Sequence, residues 1–318
     1  MDREEGKMEI ILQILLLILG FGLLVKGADW FVDGAAGVAE KFGIPQLVIG
    51  LTIVAMGTSA PEAAVSITAA LKGNAGITIG NIVGSNILNV LIILGLSAVI
   101  VPIAVAKSTV KVEMPYMILI TFLLLGLGIS GNEIRLWEGV ILWVAFLAYL
   151  GYLFWMVKKD KNQQEEEKKK EESIWKLLIM VIIGIVCIML GSDFAVDAAT
   201  VIAKEVGMSE RLIGLTIVAL GTSLPELVTS VSAAMKGKAD IAIGNIVGSN
   251  IFNILFVVGT TALITPVAFE SKFIIDTIIS AAAGILLWLC VFRDRKLSRA
   301  GGAIMLVGYA AYFVYIMR

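Results

Sequence analysis

Apolar runs of membrane-spanning length, roughly 20 residues each, recur near residues 9–33, 46–71, 77–101, 115–131 and 136–157, and again near 174–197, 210–235, 241–265, 273–292 and 299–317. A chain surrounded by lipid must satisfy its backbone N–H and C=O groups internally, so such runs cross the membrane as helices. The pattern predicts an all-α polytopic membrane protein of ten transmembrane helices. The first run is too long for a signal peptide and lacks a small-residue cleavage site, so it reads as a retained helix behind a short polar segment, residues 1–8. Between the fifth and sixth runs lies KKDKNQQEEEKKKEES, residues 158–173, whose charge density reads as a solvated linker.

The runs also repeat. Residues 50–100 align with 214–264 at a constant offset of 164, without gaps, and 32 of the 51 positions are identical. The same register pairs Gly27, Asp29, Val32 and Asp33 with Gly191, Asp193, Val196 and Asp197. Two units follow, residues 1–157 and 174–318, joined by the linker. Five spans per unit is an odd number, so the second unit enters the membrane from the opposite side, giving two inverted five-helix repeats, an architecture in which many transporters hold their substrate between the halves. Of the 25 Lys and Arg residues, 15 fall on the linker side and 8 on the side of both termini. This places a multi-pass protein in the cell membrane with its linker cytoplasmic and both termini extracellular.

Composition narrows the chemistry. The chain is 58% apolar and 16% charged, with a mean hydropathy of +0.95. A net charge of −1, with no basic face, leaves nothing for a nucleic acid to bind. There is no histidine, which removes imidazole metal sites and Ser-His or Cys-His nucleophiles. Cys187 and Cys290 sit inside apolar runs without metal-ligand or redox spacing, so they read as small core residues. Carboxylates, hydroxyls, amides and backbone carbonyls remain.

Those groups concentrate in two blocks per unit: GTSAPE (57–62) with GNIVGSNILN (80–89), and GTSLPE (221–226) with GNIVGSNIFN (244–253). A carboxylate at membrane depth is expensive unless it meets a partner, a cavity or an ion. Glu62 and Glu226 are equivalent under the repeat, so inversion brings them to one centre, where a divalent cation relieves their repulsion. Thr58, Ser59 and Glu62 stand at i, i+1 and i+4, which predicts a shared helical face, and Thr222, Ser223 and Glu226 repeat the spacing. Ser85 and Asn89, and Ser249 and Asn253, are also four apart. All offer oxygen, which suits hard cations such as Ca²⁺ and Na⁺. Pro61 and Pro225 should distort their helices near Gly57 and Gly221 and free carbonyls as further ligands. The glycines, Asn81, Asn86, Asn245 and Asn250 are explained as well by helix packing and interhelical hydrogen bonds. Asp29, Asp33, Asp193 and Asp197 read as capping or hydrogen-bonding groups at the ends of the first helix of each unit. Glu113 and Asp276 read as helix starts, where a carboxylate favours the dipole.

At these blocks the sequence resembles the cation/calcium exchanger superfamily, and most of all its prokaryotic Na⁺/Ca²⁺ exchanger branch, whose repeats carry the same paired GTS-x-PE and GS-N-xx-N elements. The resemblance covers essentially the whole chain. It implies four ion sites between helices 2, 3, 7 and 8, with ligands from the carbonyls of Ala55 and Ala219 and the side chains of Thr58, Ser59, Glu62, Thr222, Ser223, Glu226, Ser85, Asn89, Ser249 and Asn253. It also implies gating by helices 1 and 6. Many relatives carry aspartate at the position of Asn253; this chain has asparagine in both copies, so no proton or K⁺ role is carried over to it.

The expected activity is therefore secondary antiport of Na⁺ against Ca²⁺, with H⁺/Ca²⁺ antiport and a cation channel as alternatives. An enzyme is not expected, because no histidine or nearby lysine activates Ser59 or Ser223. Ca²⁺, Na⁺ and membrane lipid are the expected partners; no cofactor and no obligate protein partner is evident. Gly22, Gly27, Gly184 and Gly191 would let helices 1 and 6 slide, or equally let them pack closely.

Overall fold

A computed structural model describes residues 3–73, 75–161, 172–208 and 219–317. It is built of helices: α1 (Arg3–Phe42), α2 (Gln46–Thr58), α3 (Ala60–Leu71), α4 (Ile77–Ile100), α5 (Thr109–Gly131), α6 (Leu136–Lys161), α7 (Ile174–Glu205), α8 (Leu224–Met235), α9 (Ala239–Ile264), α10 (Ser271–Phe292) and α11 (Arg299–Ile316). Among the described residues, eight helices are long and apolar enough to cross a membrane, and α2 with α3, bent by 50° at their junction, makes a ninth. The expected span near 210–235 is described only as the turn Ala219–Gly221 and α8, since 209–218 lie outside the described residues. Most of the expected linker, 162–171, lies outside them as well.

The first span of each unit runs further than its apolar run. Helix α1 continues to Phe42 because Ala35, Ala36, Val38 and Ala39 keep a buried face, and α7 continues to Glu205. The four repeat aspartates thus lie within helices, not at their ends. Helices α3 and α8 stop at equivalent glycines, Gly73 (φ +73°) and Gly237 (φ +71°), whose left-handed backbone ends a helix without a Cβ clash.

Burial sorts the helices into layers. Within the most apolar stretch of each span, 94% of α9 and 78% of α4 is buried by protein, against 17% of α1 and 22% of α7. Helices α4 and α9 form the centre and α1 and α7 an outer pair. The outer pair runs antiparallel at backbone contact. A Cβ added at Gly27 would stand 2.8 Å from the Gly184 carbonyl, and one at Gly191 would stand 2.7 Å from the Gly20 carbonyl. Gly22, by contrast, faces open space and takes no part in this packing.

Four two-residue strands tie the helix ends: β1 (Ile103–Ala104), β2 (Glu133–Ile134), β3 (Val267–Ala268) and β4 (Lys296–Leu297). Strand β1 pairs antiparallel with β4, and β2 with β3. Both cysteines are free thiols, and the Cys187 side chain packs where Gly27 approaches α7.

Candidate functional site: a centre of buried oxygens

Each central block folds around a helix break. Helix α2 ends at Thr58 and α3 begins at Ala60, with Ser59 between them at φ −84°, ψ 8°. In the second unit Ser223 takes the equivalent conformation, φ −93°, ψ 3°, ahead of α8. Pro61 and Pro225 lie in the first turns of α3 and α8, where a missing N–H costs nothing and the fixed φ favours a helix start. The expected distortion near Gly57 is therefore a break at Ser59, two residues further on, with the helix restarting at Ala60 at an angle of 50°. Glu62 and Glu226 occupy the same first turns. Two positive helix ends thus face the centre, each carrying a carboxylate.

The break overturns the expectation that Thr58, Ser59 and Glu62 share a helical face. The hydroxyl of Ser59 crosses to the other unit and donates to Oε1 of Glu226 at 2.7 Å. Thr58 also faces Glu226, and Thr222 faces Glu62, so each broken helix supplies hydroxyls to the carboxylate of its counterpart. From the same unit, Ser85 reaches Glu62 at 3.5 Å and Ser249 faces Glu226. The two carboxylates are close enough to repel each other.

Helices α4 and α9 hold this arrangement with amides. Asn81 donates to the Glu62 carbonyl (3.3 Å) and the Ser66 hydroxyl (3.0 Å). Asn245 does the same for Glu226 (3.4 Å) and Ser230 (2.9 Å). At the α4–α9 contact the asparagines exchange bonds reciprocally: Asn86 donates to the Asn250 carbonyl at 3.3 Å, and Asn250 to the Asn86 carbonyl at 3.2 Å. Asn89 donates to Oδ1 of Asn250 at 3.0 Å, and Asn253 to Oδ1 of Asn86 at 3.1 Å. Asn89 and Asn253 also open equivalent π-helical turns, Asn89–Leu94 and Asn253–Val258, a local widening common at functional sites.

What remains is a set of buried oxygens without a protein partner: Oε2 of Glu62, Oε2 of Glu226, Oδ1 of Asn89, Oδ1 of Asn253 and Oγ of Ser223. Glu62, Glu226, Asn89, Asn253 and Ser223 are each at most 2% exposed. Burying unpaired polar atoms carries a cost of about 1–3 kcal/mol each, and the donor set is that of a hard cation. Among the described residues no group of three His, Cys, Asp or Glu side chains assembles, so hydroxyls, amides and carbonyls complete any coordination. The Ala55 carbonyl, ahead of the break, accepts the Ser59 N–H at 3.0 Å and the Ser249 hydroxyl at 3.3 Å. Ala219 opens the turn Ala219–Gly221 at the equivalent position.

Other carboxylates lie outside this centre. Glu113 is fully buried and takes a hydrogen bond from Tyr152, and Asp276 accepts from Tyr312 at 3.1 Å. Neighbouring tyrosines, not the helix dipole alone, hold them. Asp29 and Asp33 meet lysines instead of capping a helix: Lys236 lies 3.1 Å from Asp29 and 2.8 Å from Asp33, and Lys238 lies 2.9 Å from Asp33. The positioning roles of Ser66 and Ser230 were not singled out from the sequence, although both are identical positions of the duplicated block.

Known proteins place the chain. The sodium/calcium exchanger protein profile matches residues 12–155 and again 176–318. The putative antiporter CaxA of Alkalimonas amylolytica is 38% identical over 95% of this chain and 98% of its own length. The sodium/calcium exchanger MaX1 of Methanosarcina acetivorans is 33% identical over 96% and 99%. A solved structure of the sodium-calcium exchanger NCX_Mj superposes with a TM-score of 0.83 at 33% identity, covering 96% of this chain and 99% of that one. The chain belongs to the sodium/calcium exchanger family of membrane cation antiporters, in the prokaryotic branch of the cation/calcium exchanger superfamily.

Proposed function

We propose that this protein is a secondary active antiporter that exchanges Na⁺ for Ca²⁺ by alternating access through the Glu62/Glu226 centre. The observation that carries the reading is the set of five unpartnered buried oxygens, two of them carboxylate, gathered where two half-helices begin. Such a centre holds a divalent cation, or several monovalent ones, and is costly to enclose without them, because two buried carboxylates then lack any counter-charge. That cost makes exchange obligatory: a loaded centre can be occluded and carried to the other side, whereas an unloaded one resists occlusion. The named activity of the exchanger MaX1 supports Na⁺ as the counter-ion.

Ten spans in two inverted repeats fit the same reading. The equivalent helices α1 and α7 run antiparallel, and strands that follow non-equivalent spans pair, β1 with β4 and β2 with β3. Units of like orientation would put β1 and β4 on opposite faces. Residues 209–218, the repeat equivalent of 45–54, lie outside the described residues. The Lys and Arg distribution orients the linker to the cytoplasm and both termini outside.

The test is ⁴⁵Ca²⁺ uptake into proteoliposomes under an outward Na⁺ gradient, then under a pH gradient without Na⁺. The expected result is uptake in the first case only. Uptake driven by the pH gradient alone would establish H⁺ coupling instead, and uptake with neither gradient would establish a channel.

A further inference from the structure

The two repeats are not in the same state, and the difference is written in charge. On α1, Asp29 and Asp33 close onto the end of α8: Lys236 bridges both, Lys238 holds Asp33, and the Ser232 hydroxyl donates to Asp29 at 2.9 Å. Lys236 also donates to the Asp29 backbone carbonyl at 3.0 Å. The repeat offset maps these groups onto Asp193 and Asp197 of α7 and onto Thr68 and Lys72 of α3. There, among the described residues, the image contacts are not made: no ion pair joins Lys72 to either aspartate, and Thr68 and Lys72 are exposed on α3. Helix α1 packs along α8, with no comparable contact between α7 and α3.

These two places lie far apart. Gly20 meets Gly191 and Gly27 meets Gly184, so Asp193 and Asp197 stand beside residues 14–18 of α1 while Asp29 and Asp33 stand about 15 residues further on. At 1.5 Å per residue that is roughly 20 Å along the pair. Among the described residues, one end of the α1–α7 pair is clasped to the core by ion pairs and the other is not.

The geometry points to a charge latch that fixes which side of the protein is closed: Asp29 and Asp33 with Lys236 and Lys238 hold this state, and Asp193 and Asp197 close onto Lys72 in the opposite one. The inference rests on the alternating-access reading above. The two latches are unequal by sequence, because Asn74 stands where Lys238 does, so the second clasp has one lysine where the first has two. The unliganded protein therefore favours the state in which Lys236 and Lys238 are engaged.

Hydrogen–deuterium exchange of the full chain in detergent tests this without requiring transport. The segments compared are 230–237 at the end of α8 and 66–73 at the end of α3. In Lys236→Gln/Lys238→Gln the opening of 230–237 should rise about three- to tenfold, and that of 66–73 should fall in step. Exchange of all four charges, Asp29→Lys and Asp33→Lys with Lys236→Asp and Lys238→Asp, should keep both segments near the wild-type pattern. Loosening of 230–237 alone, with 66–73 unchanged, would reduce the cluster to a local structural contact and overturn the latch, as would failure of the charge exchange to restore both segments. Failure of Na⁺-driven ⁴⁵Ca²⁺ uptake by the wild-type protein would instead overturn the exchange reading while leaving the opposed exchange response measurable.

Discussion

The central helices α4 and α9 and the outer pair α1 and α7 are each repeat-related or symmetry-crossing contacts at membrane depth, yet they are joined in opposite ways. Helices α4 and α9 meet through directional bonds, Asn86 and Asn250 trading amide for carbonyl, with Asn89 and Asn253 locked onto the same residues. Helices α1 and α7 meet backbone to backbone at Gly20, Gly27, Gly184 and Gly191. Directional bonds fix a register, because shifting one helix by a turn breaks all of them together. A glycine seam offers van der Waals contact over a smooth surface and resists translation far less. The difference is one of joining: directional bonds fix the register of the part that holds the oxygens, and close backbone packing alone joins the outer pair.

The sharpest way to break this comparison is at the rigid centre. Glu62→Gln or Glu226→Gln removes one of two charges facing a divalent ion where water cannot replace it cheaply. Na⁺-dependent Ca²⁺ uptake should be lost while the protein still inserts and elutes as a folded species. Near wild-type uptake by either variant would sink the shared centre.

Asn86→Ala and Asn250→Ala test whether the amides fix the register. Each leaves a buried carbonyl and a neighbouring amide unpaired, at about 1–3 kcal/mol, and should lower both the melting temperature and the affinity for Ca²⁺. A variant with unchanged affinity would show that the centre does not depend on these bonds.

At the outer seam, Gly27→Val should slow exchange while equilibrium Ca²⁺ binding survives, since added carbons would meet the Gly184 carbonyl and Cys187, an overpacking of about 1–3 kcal/mol. Gly22→Val is its control, because nothing lies within 4 Å of the position. Equal rates for the two variants would remove the seam from the cycle.

The smallest effect concerns pH. An amide at 253 binds no proton, whereas Asn253→Asp places a third titratable group in the centre. Uptake by the variant should be inhibited at higher pH than in the wild type, and saturating Ca²⁺ should oppose the inhibition in both. Identical pH profiles would put the proton-sensitive groups elsewhere.

The buried oxygen groups of the centre were legible because duplication isolates them. Polar groups that survive at matching positions of two apolar blocks, Glu62 with Glu226 and Asn89 with Asn253, have few structural excuses in lipid. The partners of those groups were not legible. Equal spacing put Ser59 and Glu62 on one helix face, but a proline in the first turn restarts the helix and turns the serine hydroxyl across to Glu226. The aspartates at 29 and 33 read as helix-end groups because the apolar run stops near residue 33, whereas the helix continues on small buried residues to Phe42.

Local chemistry by itself determined the helical, membrane-spanning character of the chain, the duplication, the oxygen character of its buried polar groups and the exclusion of imidazole chemistry, since each depends on residue type and spacing along one chain. Only the tertiary structure decided which unit serves which carboxylate, that the asparagines of α4 and α9 bind each other, and that α1 is clasped to α8 at one end while α7 leaves α3 open at the other. Those are contacts between residues some 160 to 200 positions apart in sequence. The repeat makes the two units nearly identical in sequence at the centre, so spacing along one chain cannot say which unit's hydroxyls serve which carboxylate; that is decided by how helices distant in sequence pack against one another.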